Sequence, residues 1–287
     1  MENNIYNVEQ PGFKHIQFAL WGTIGIMIFY QAALATILLS LPKSTSNNVN
    51  PWAISLSQIV FMFAPMILIA RKSPLSLTDI FRLKPVKNNF LFLFSILGLI
   101  SIQAFVAGYG VVQEAMVPKA FAGFYKTLQQ AIESEYLKLL GGSSHLDFLR
   151  AIAVGAVVPA VCEESLFRGF FQRSLEQKLS PMKSALIVGI SFGIVHFNPI
   201  DIIPLIIIGF YLGILAYVSG SIILPIIIHL LNNAIAVVVI YYIEPNKATF
   251  GSSDIPLNYA IILCLTGFLF TAWITYSIWN RRENSKN

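Results

Sequence analysis

Charge is what this sequence has least of. Only 11% of its 287 residues are Asp, Glu, Lys or Arg, against about 25% in an ordinary soluble domain. So few charges cannot cover the surface of a water-soluble protein of this length, which excludes a soluble enzyme or a soluble binding module. Cysteine is scarce as well. Cys162 and Cys264 are the only two, both inside apolar runs, which excludes a disulfide framework and makes them small core residues. The net charge is +5, but the cations fall in short loops between apolar runs. That is the pattern of membrane topology and not of a nucleic-acid surface, so no nucleic-acid partner is expected. No internal repeat and no lipidation signal is apparent. The first apolar run is too long for the roughly 7–15-residue core of a signal peptide.

What is abundant is hydrophobic sequence, at 56%. A bilayer core needs about 20 apolar residues per helix. Candidate runs cover 16–41, 52–70, 90–112, 148–175, 182–197, 202–218, 221–243 and 257–280. The expected fold is all-α: a polytopic transmembrane helical bundle of about eight spans, one membrane domain over 1–287. Asn198, Pro199 and Asp201 divide the fifth run from the sixth. Between the third and fourth runs, Phe121, Phe124, Tyr125, Leu128, Ile132, Tyr136, Leu139 and Leu140 recur at helical spacing, which predicts an interfacial amphipathic helix. Gly189 and Gly193, like Gly209 and Gly213, are four apart, a hint of close helix packing.

With eight spans, Arg71, Lys72, Arg82, Lys84, Lys87, Arg173, Lys178, Lys183, Arg281, Arg282 and Lys286 fall on one side with Lys14. Lys43, Lys119, Lys126, Lys138, Arg150 and Lys247 are spread over longer loops on the other. The bias places both termini in the cytoplasm.

An ionisable residue at the centre of a span costs at least about 2.5–3.5 kcal/mol, so the exceptions are informative. They cluster in 148–243. Glu163, Glu164 and Arg168 share one run, and Glu164 and Arg168, four apart, can pair along one helix face. Glu163 is turned about 100° away, leaving one carboxylate free. Burial and like-charge repulsion are expected to raise the pKa of one of the two, as a general base near neutral pH requires. Phe192 to His196 ends the fifth run, and His229 and Asn233 share a face of the seventh. Asn232 points about 100° from Asn233. His15 and His145 lie at predicted interfaces, and Asp201, Glu244 and Asp254 lie near span ends, where charge is cheap. Counted at about 1.5 Å per residue, Glu163 falls toward the cytoplasmic half and His196 toward the outer half.

The ordered set Glu-Glu-x-x-x-Arg, Phe-x-x-x-His and His-x-x-x-Asn, here Glu163-Glu164 to Arg168, Phe192 to His196 and His229 to Asn233, resembles the CPBP family. That family includes the type II CAAX prenyl endopeptidases and bacterial proteins linked to bacteriocin processing and self-immunity. The resemblance implies an eight-helix intramembrane endopeptidase, in a bacterial plasma membrane. It implies Glu163 as the base that activates water with His196 assisting, and His229 with Asn233 on the oxyanion. Glu164, Arg168 and Phe192 are implied as supporting residues. The expected partners are membrane lipids and a peptide or membrane-protein substrate, such as a prenylated tail or a peptide precursor. No cofactor is favoured. A zinc-dependent version would use Glu163, His196 and His229 as ligands. A proton-coupled transporter and a non-catalytic peptide-binding immunity protein are the competing readings.

Overall fold

The computed structural model describes residues 13–40, 51–72, 76–86, 88–243 and 255–284. Lys43, Lys87, Glu244, Lys247, Asp254 and Lys286 lie outside the described residues, as do the side chains of Lys14 and His15. The described residues are helical and contain no strand. Among the described residues nine long helices follow one another: α1 Phe13–Ser40, α2 Pro51–Ala70, α3 Asn89–Met116, α4 Ala122–Leu140, α5 His145–Leu175, α6 Pro181–Val195, α7 Ile202–Ser219, α8 Ile223–Tyr242 and α9 Leu257–Asn284.

All of these except α4 and α6 are long and apolar enough to cross a membrane. Their outer faces carry large bare apolar side chains, such as Trp21, Ile28, Leu68, Ile100, Leu265 and Trp273. The inner faces bury Glu164, Arg168 and Gln172. Lipid can cover the first group and would not tolerate the second. The chain is an integral, multi-pass membrane protein.

Helix ends follow the local sequence. Asn88 caps α3 by accepting from the Leu91 amide, and Ser144 forms a capping box with Asp147 at the start of α5. Ser180 caps α6, with Pro181 in the first turn where its missing N–H is not needed. Gly220, at φ 65°, ends α7 in the left-handed conformation that glycine adopts without strain. Asn198 breaks the apolar stretch between α6 and α7: its Oδ1 accepts from the Ile200 and Asp201 amides, and its Nδ2 donates to Asp201.

At fifteen residues, or about 22 Å, α6 is shorter than a full span. It still runs between the two ends of the bundle. One end gathers Arg82, Glu176, Ala216 and Ser221 by direct hydrogen bonds. The other gathers Gln113, Tyr125 and Ile200. The short helix packs along α7 through the two glycine pairs. A Cβ on Gly189 would sit 2.6 Å from the Phe210 amide nitrogen, and one on Gly209 would sit 3.0 Å from the Gly189 Cα. The amphipathic helix is α4, and its Tyr125, Ile132 and Tyr136 roof a cavity between the spans.

Gly189→Ala is expected to lower the midpoint of thermal unfolding in detergent, at a cost of roughly 1–3 kcal/mol, because the contacting atoms are backbone. Gly25→Ala, with open space around the added methyl, should leave the midpoint unchanged or raise it.

Candidate active site

The long helix α5 carries the first motif, and it is not a regular α-helix. It widens into π-helical turns at Ala153–Val157 and again at Ser165–Gln172, a distortion that often accompanies function. From this stretch Glu164, Arg168 and Gln172, all with 0% exposure, reach toward neighbouring helices. Arg168 Nη2 donates to the Gly209 carbonyl at 2.9 Å and Gln172 Nε2 to the Gly213 carbonyl at 2.8 Å. The two glycines let these carbonyls approach. Arg168 Nη1 donates to Glu164 Oε1 at 2.6 Å, the pairing expected from their spacing.

The same carboxylate oxygen takes a third helix. His229 Nδ1 lies 2.8 Å from Glu164 Oε1. Its proton therefore sits on Nδ1 and points at the carboxylate, leaving Nε2 to face the cavity. Phe192 packs beneath the cluster. Its ring centroid is 4.8 Å from the Arg168 guanidinium carbon, 4.5 Å from the His196 ring and 5.8 Å from the His229 ring.

Glu163 turns the other way, into the cavity. Its Oε1 accepts from Gln58 Nε2 at 3.0 Å. Its Oε2 faces His196 Nε2 at 3.8 Å and His229 Nε2 at 4.0 Å. His196 Nδ1 is 2.6 Å from the Phe192 carbonyl, so that nitrogen is the donor and Nε2 presents a lone pair.

The depth mismatch between Glu163 and His196 disappears. Measured from the shared α5–α6 turn, Glu163 lies twelve residues from the end of α5, about 18 Å, and His196 fifteen residues from the start of α6, about 22 Å. The two side chains therefore come level, and their ends face each other directly.

Asn233 lines the same cavity. Its Oδ1 accepts from Asn232 Nδ2 at 3.1 Å, and Asn232 Oδ1 accepts from Gln103 Nε2 at 2.7 Å. The amide chain has one polarity. With both oxygens occupied in sequence, the Asn233 NH2 is the end left to face the cavity.

The cavity encloses about 350 Å³. Ile54, Ile102, Val106, Leu205 and Ile208 make apolar walls, and Glu114, Glu133 and Asp201 add carboxylates toward α4. No Lys or Arg lies among its described lining residues. Asp201 is therefore not a freely solvated end-of-span charge. Burial pushes its carboxyl above the usual range, and the hydrogen bond from Asn198 pulls it back. Tyr136 exposes its ring edge but turns its hydroxyl inward. Burial and the negative charges of Asp201 and Glu163 push that hydroxyl up to about 12, so it stays protonated.

With this geometry in hand, the chain can be set beside known proteins. Residues 145–235 match the family model described as Type II CAAX prenyl endopeptidase Rce1-like. This segment is Rce1-like. The match holds all three motifs, so the resemblance to the CAAX-type proteases is borne out, and an intramembrane protease in general is what it supports. No curated protein and no solved structure matches the chain. Gln58 and Gln103 come from outside the Rce1-like segment. Neither stands out in the sequence, because an amide in an apolar helix carries no charge, and helix geometry turns Asn232 about 100° from Asn233.

Arg168→Met would strand Glu164 as a buried carboxylate beside one histidine. A loss of about 3–5 kcal/mol of stability is expected, read as a large drop in the unfolding midpoint. The double variant Arg168→Met/Glu164→Leu should recover much of it.

Proposed function

We propose that the protein is an endopeptidase that hydrolyses peptide bonds of membrane-associated substrates with water activated by Glu163. The carrying observation is the convergence of His196 Nε2 and His229 Nε2 on one oxygen of Glu163. Separations of 3.8 and 4.0 Å are too long for direct hydrogen bonds, and they suit a water held at about 2.8 Å from each.

In this reading the water gives a proton to Glu163 Oε2 while a second hydrogen bonds to the His196 lone pair. Its oxygen attacks the scissile carbonyl carbon, and the carbonyl oxygen takes up the negative charge. The Asn233 NH2 donates to that oxyanion. His229, when doubly protonated, donates from Nε2, and its charge balances the second carboxylate beside Arg168. As the C–N bond breaks, the proton held by Glu163 passes to the leaving nitrogen, with His196 as the relay. Gln58 fixes the idle oxygen of Glu163 and leaves only Oε2 to work. An oxyanion donor placed before the reaction begins is worth about 10²–10³ in rate.

Glu163, His196 and His229 also have the donor types of a catalytic zinc site. Among the described residues no group of three or more His, Cys, Asp or Glu is spaced to hold a metal ion, and the metal-free reading is the one proposed. The acidic lining bears on the substrate. A tail cut three residues from its end carries a free carboxylate close to the scissile bond, which Glu114, Glu133 and Asp201 would repel. An internal bond of a peptide precursor or membrane protein suits this cavity better.

Purified protein should cleave a panel of membrane-proximal peptides, amidated ends no worse than free acids. Glu163→Gln and His196→Ala should each reduce kcat by at least about 10³ without changing the unfolding midpoint. Activity should survive a strong zinc chelator; loss that is restored by added zinc would establish the metal version instead.

The amide chain gives a second test. Gln103→Glu removes the donor, turns Asn232 round and presents the Asn233 oxygen to the cavity. We expect kcat to fall about 10–100-fold with KM nearly unchanged, since the lost bond belongs to the transition state. In an Asn233→Ala background the same change should have little further effect. An equal loss in both backgrounds would refute the relay.

A further inference from the structure

At the end of the bundle away from α4, a second cavity of about 210 Å³ opens between segments far apart in sequence. The turn after α2 supplies Asp79, Arg82 and Lys84, the end of α5 supplies Arg173 and Glu176, and α9 supplies Arg282. Arg82, Lys84 and Arg173 therefore meet two carboxylates that are already engaged, and Arg282, which has a partner of its own, adds to the positive field at Arg82. Glu176 takes Arg82 on one oxygen and Gln172, at 2.8 Å, on the other. Asp79 accepts the Ser76 hydroxyl at 2.6 Å in a helix cap. Arg173 reaches Glu176 only at 4.0 Å, and its Nε is buried without a hydrogen-bond partner among the described residues.

The backbone is strained to build this pocket. Arg82, 7% exposed, has φ 46°, a left-handed conformation that strains a residue with a Cβ. The turn is held in place from the α7–α8 connection. Arg82 Nη1 donates to the Ala216 carbonyl at 3.2 Å, the Ile222 amide to the Arg82 carbonyl at 3.4 Å, and the Ser221 hydroxyl to the Lys84 carbonyl at 2.5 Å. Topology alone asks for cations in loops. It does not ask for them to converge from three segments on a cavity around a strained, buried arginine.

We propose that this pocket binds a phosphate group, carried by an anionic lipid headgroup or by a free phosphate. Guanidinium forks match phosphate oxygens in geometry and charge, and basic pockets between membrane helices take such headgroups. Burial and the positive charges of Arg173 and Arg282 hold Arg82 down to about 10, a repulsion that a bound anion relieves. Leu83, 54% exposed between Arg82 and Lys84, is an apolar surface for an acyl chain to cover.

The test uses full-length protein in phosphatidylcholine nanodiscs, read by thermal unfolding. One arm adds phosphatidylglycerol to the disc, the other adds inorganic phosphate, with ionic strength held constant by NaCl. We expect a saturable rise of roughly 2–5 °C that is lost in Lys84→Gln/Arg173→Gln and kept in the exposed control Arg71→Gln/Lys72→Gln. A rise in the lipid arm alone identifies a headgroup, in the phosphate arm alone a free phosphate, and in both a site satisfied by phosphate itself. No rise in either arm, or an equal rise in the double variant, overturns the proposal. Should the double variant not fold, Arg173→Gln alone is read in the same way.

Discussion

One carboxylate oxygen, Glu164 Oε1, receives both Arg168 and His229, all three buried inside the helical bundle. Bringing a carboxylate and a guanidinium out of water costs several kcal/mol per ion after relaxation. Their mutual attraction offsets more of that the more of the remaining hydrogen-bonding capacity is used. Here Arg168 gives its second amino group to the Gly209 carbonyl and lays its guanidinium against Phe192, while its Nε and Glu164 Oε2 have no hydrogen-bond partner among the described residues. The need to satisfy one ion pair thus fixes α5 against α6, α7 and α8 together. Glu163 is the next residue along the chain, and once Glu164 is locked its direction follows from the helix.

That ordering explains what could be read in the sequence. Glu164–Arg168 and His229–Asn233 were visible because charged or imidazole side chains in apolar runs are too costly to be accidental, and because four-residue spacing places them on a shared helix face. The span boundaries were visible for a similar reason: caps such as Asn88 and Ser180 and the glycine at 220 sit where the apolar pattern stops. What the sequence could not carry was depth. A run of apolar residues says that a helix exists, and it does not say that His196 at the end of α6 comes level with Glu163. The neutral amides were invisible too. Gln58 and Gln103 matter only through partners more than a hundred residues away, and nothing local distinguishes them from tolerated polar residues.

The two ends of the molecule differ in sign. Carboxylates line the cavity near α4, and cations converge where α2, α5 and α9 end. In a low-dielectric interior such fields add over distance, since screening by salt reaches only exposed groups. The acidic end is that of the cavity holding Glu163, and the basic end is that of the pocket around Arg82.

The contacts around the cavity also differ in strength from back to front. Behind Glu163 they are charge-assisted and buried, where breaking one leaves an uncompensated ion. In front of it, the ties of α4 to the bundle include neutral bonds: Tyr125 to Gln113, Gln113 to the Ile200 carbonyl, and Tyr136 near Asn198. Each neutral bond is worth about 1 kcal/mol net, and water or a peptide amide can replace it. Phe121 and Phe124 on the far side of α4 are largely exposed, while Leu140 at its end packs with Ala151, Val237 and Ile240. α4 lies over the cavity in front of Glu163, while the buried ion pair behind it holds the helices that carry Glu163, the two histidines and Asn233.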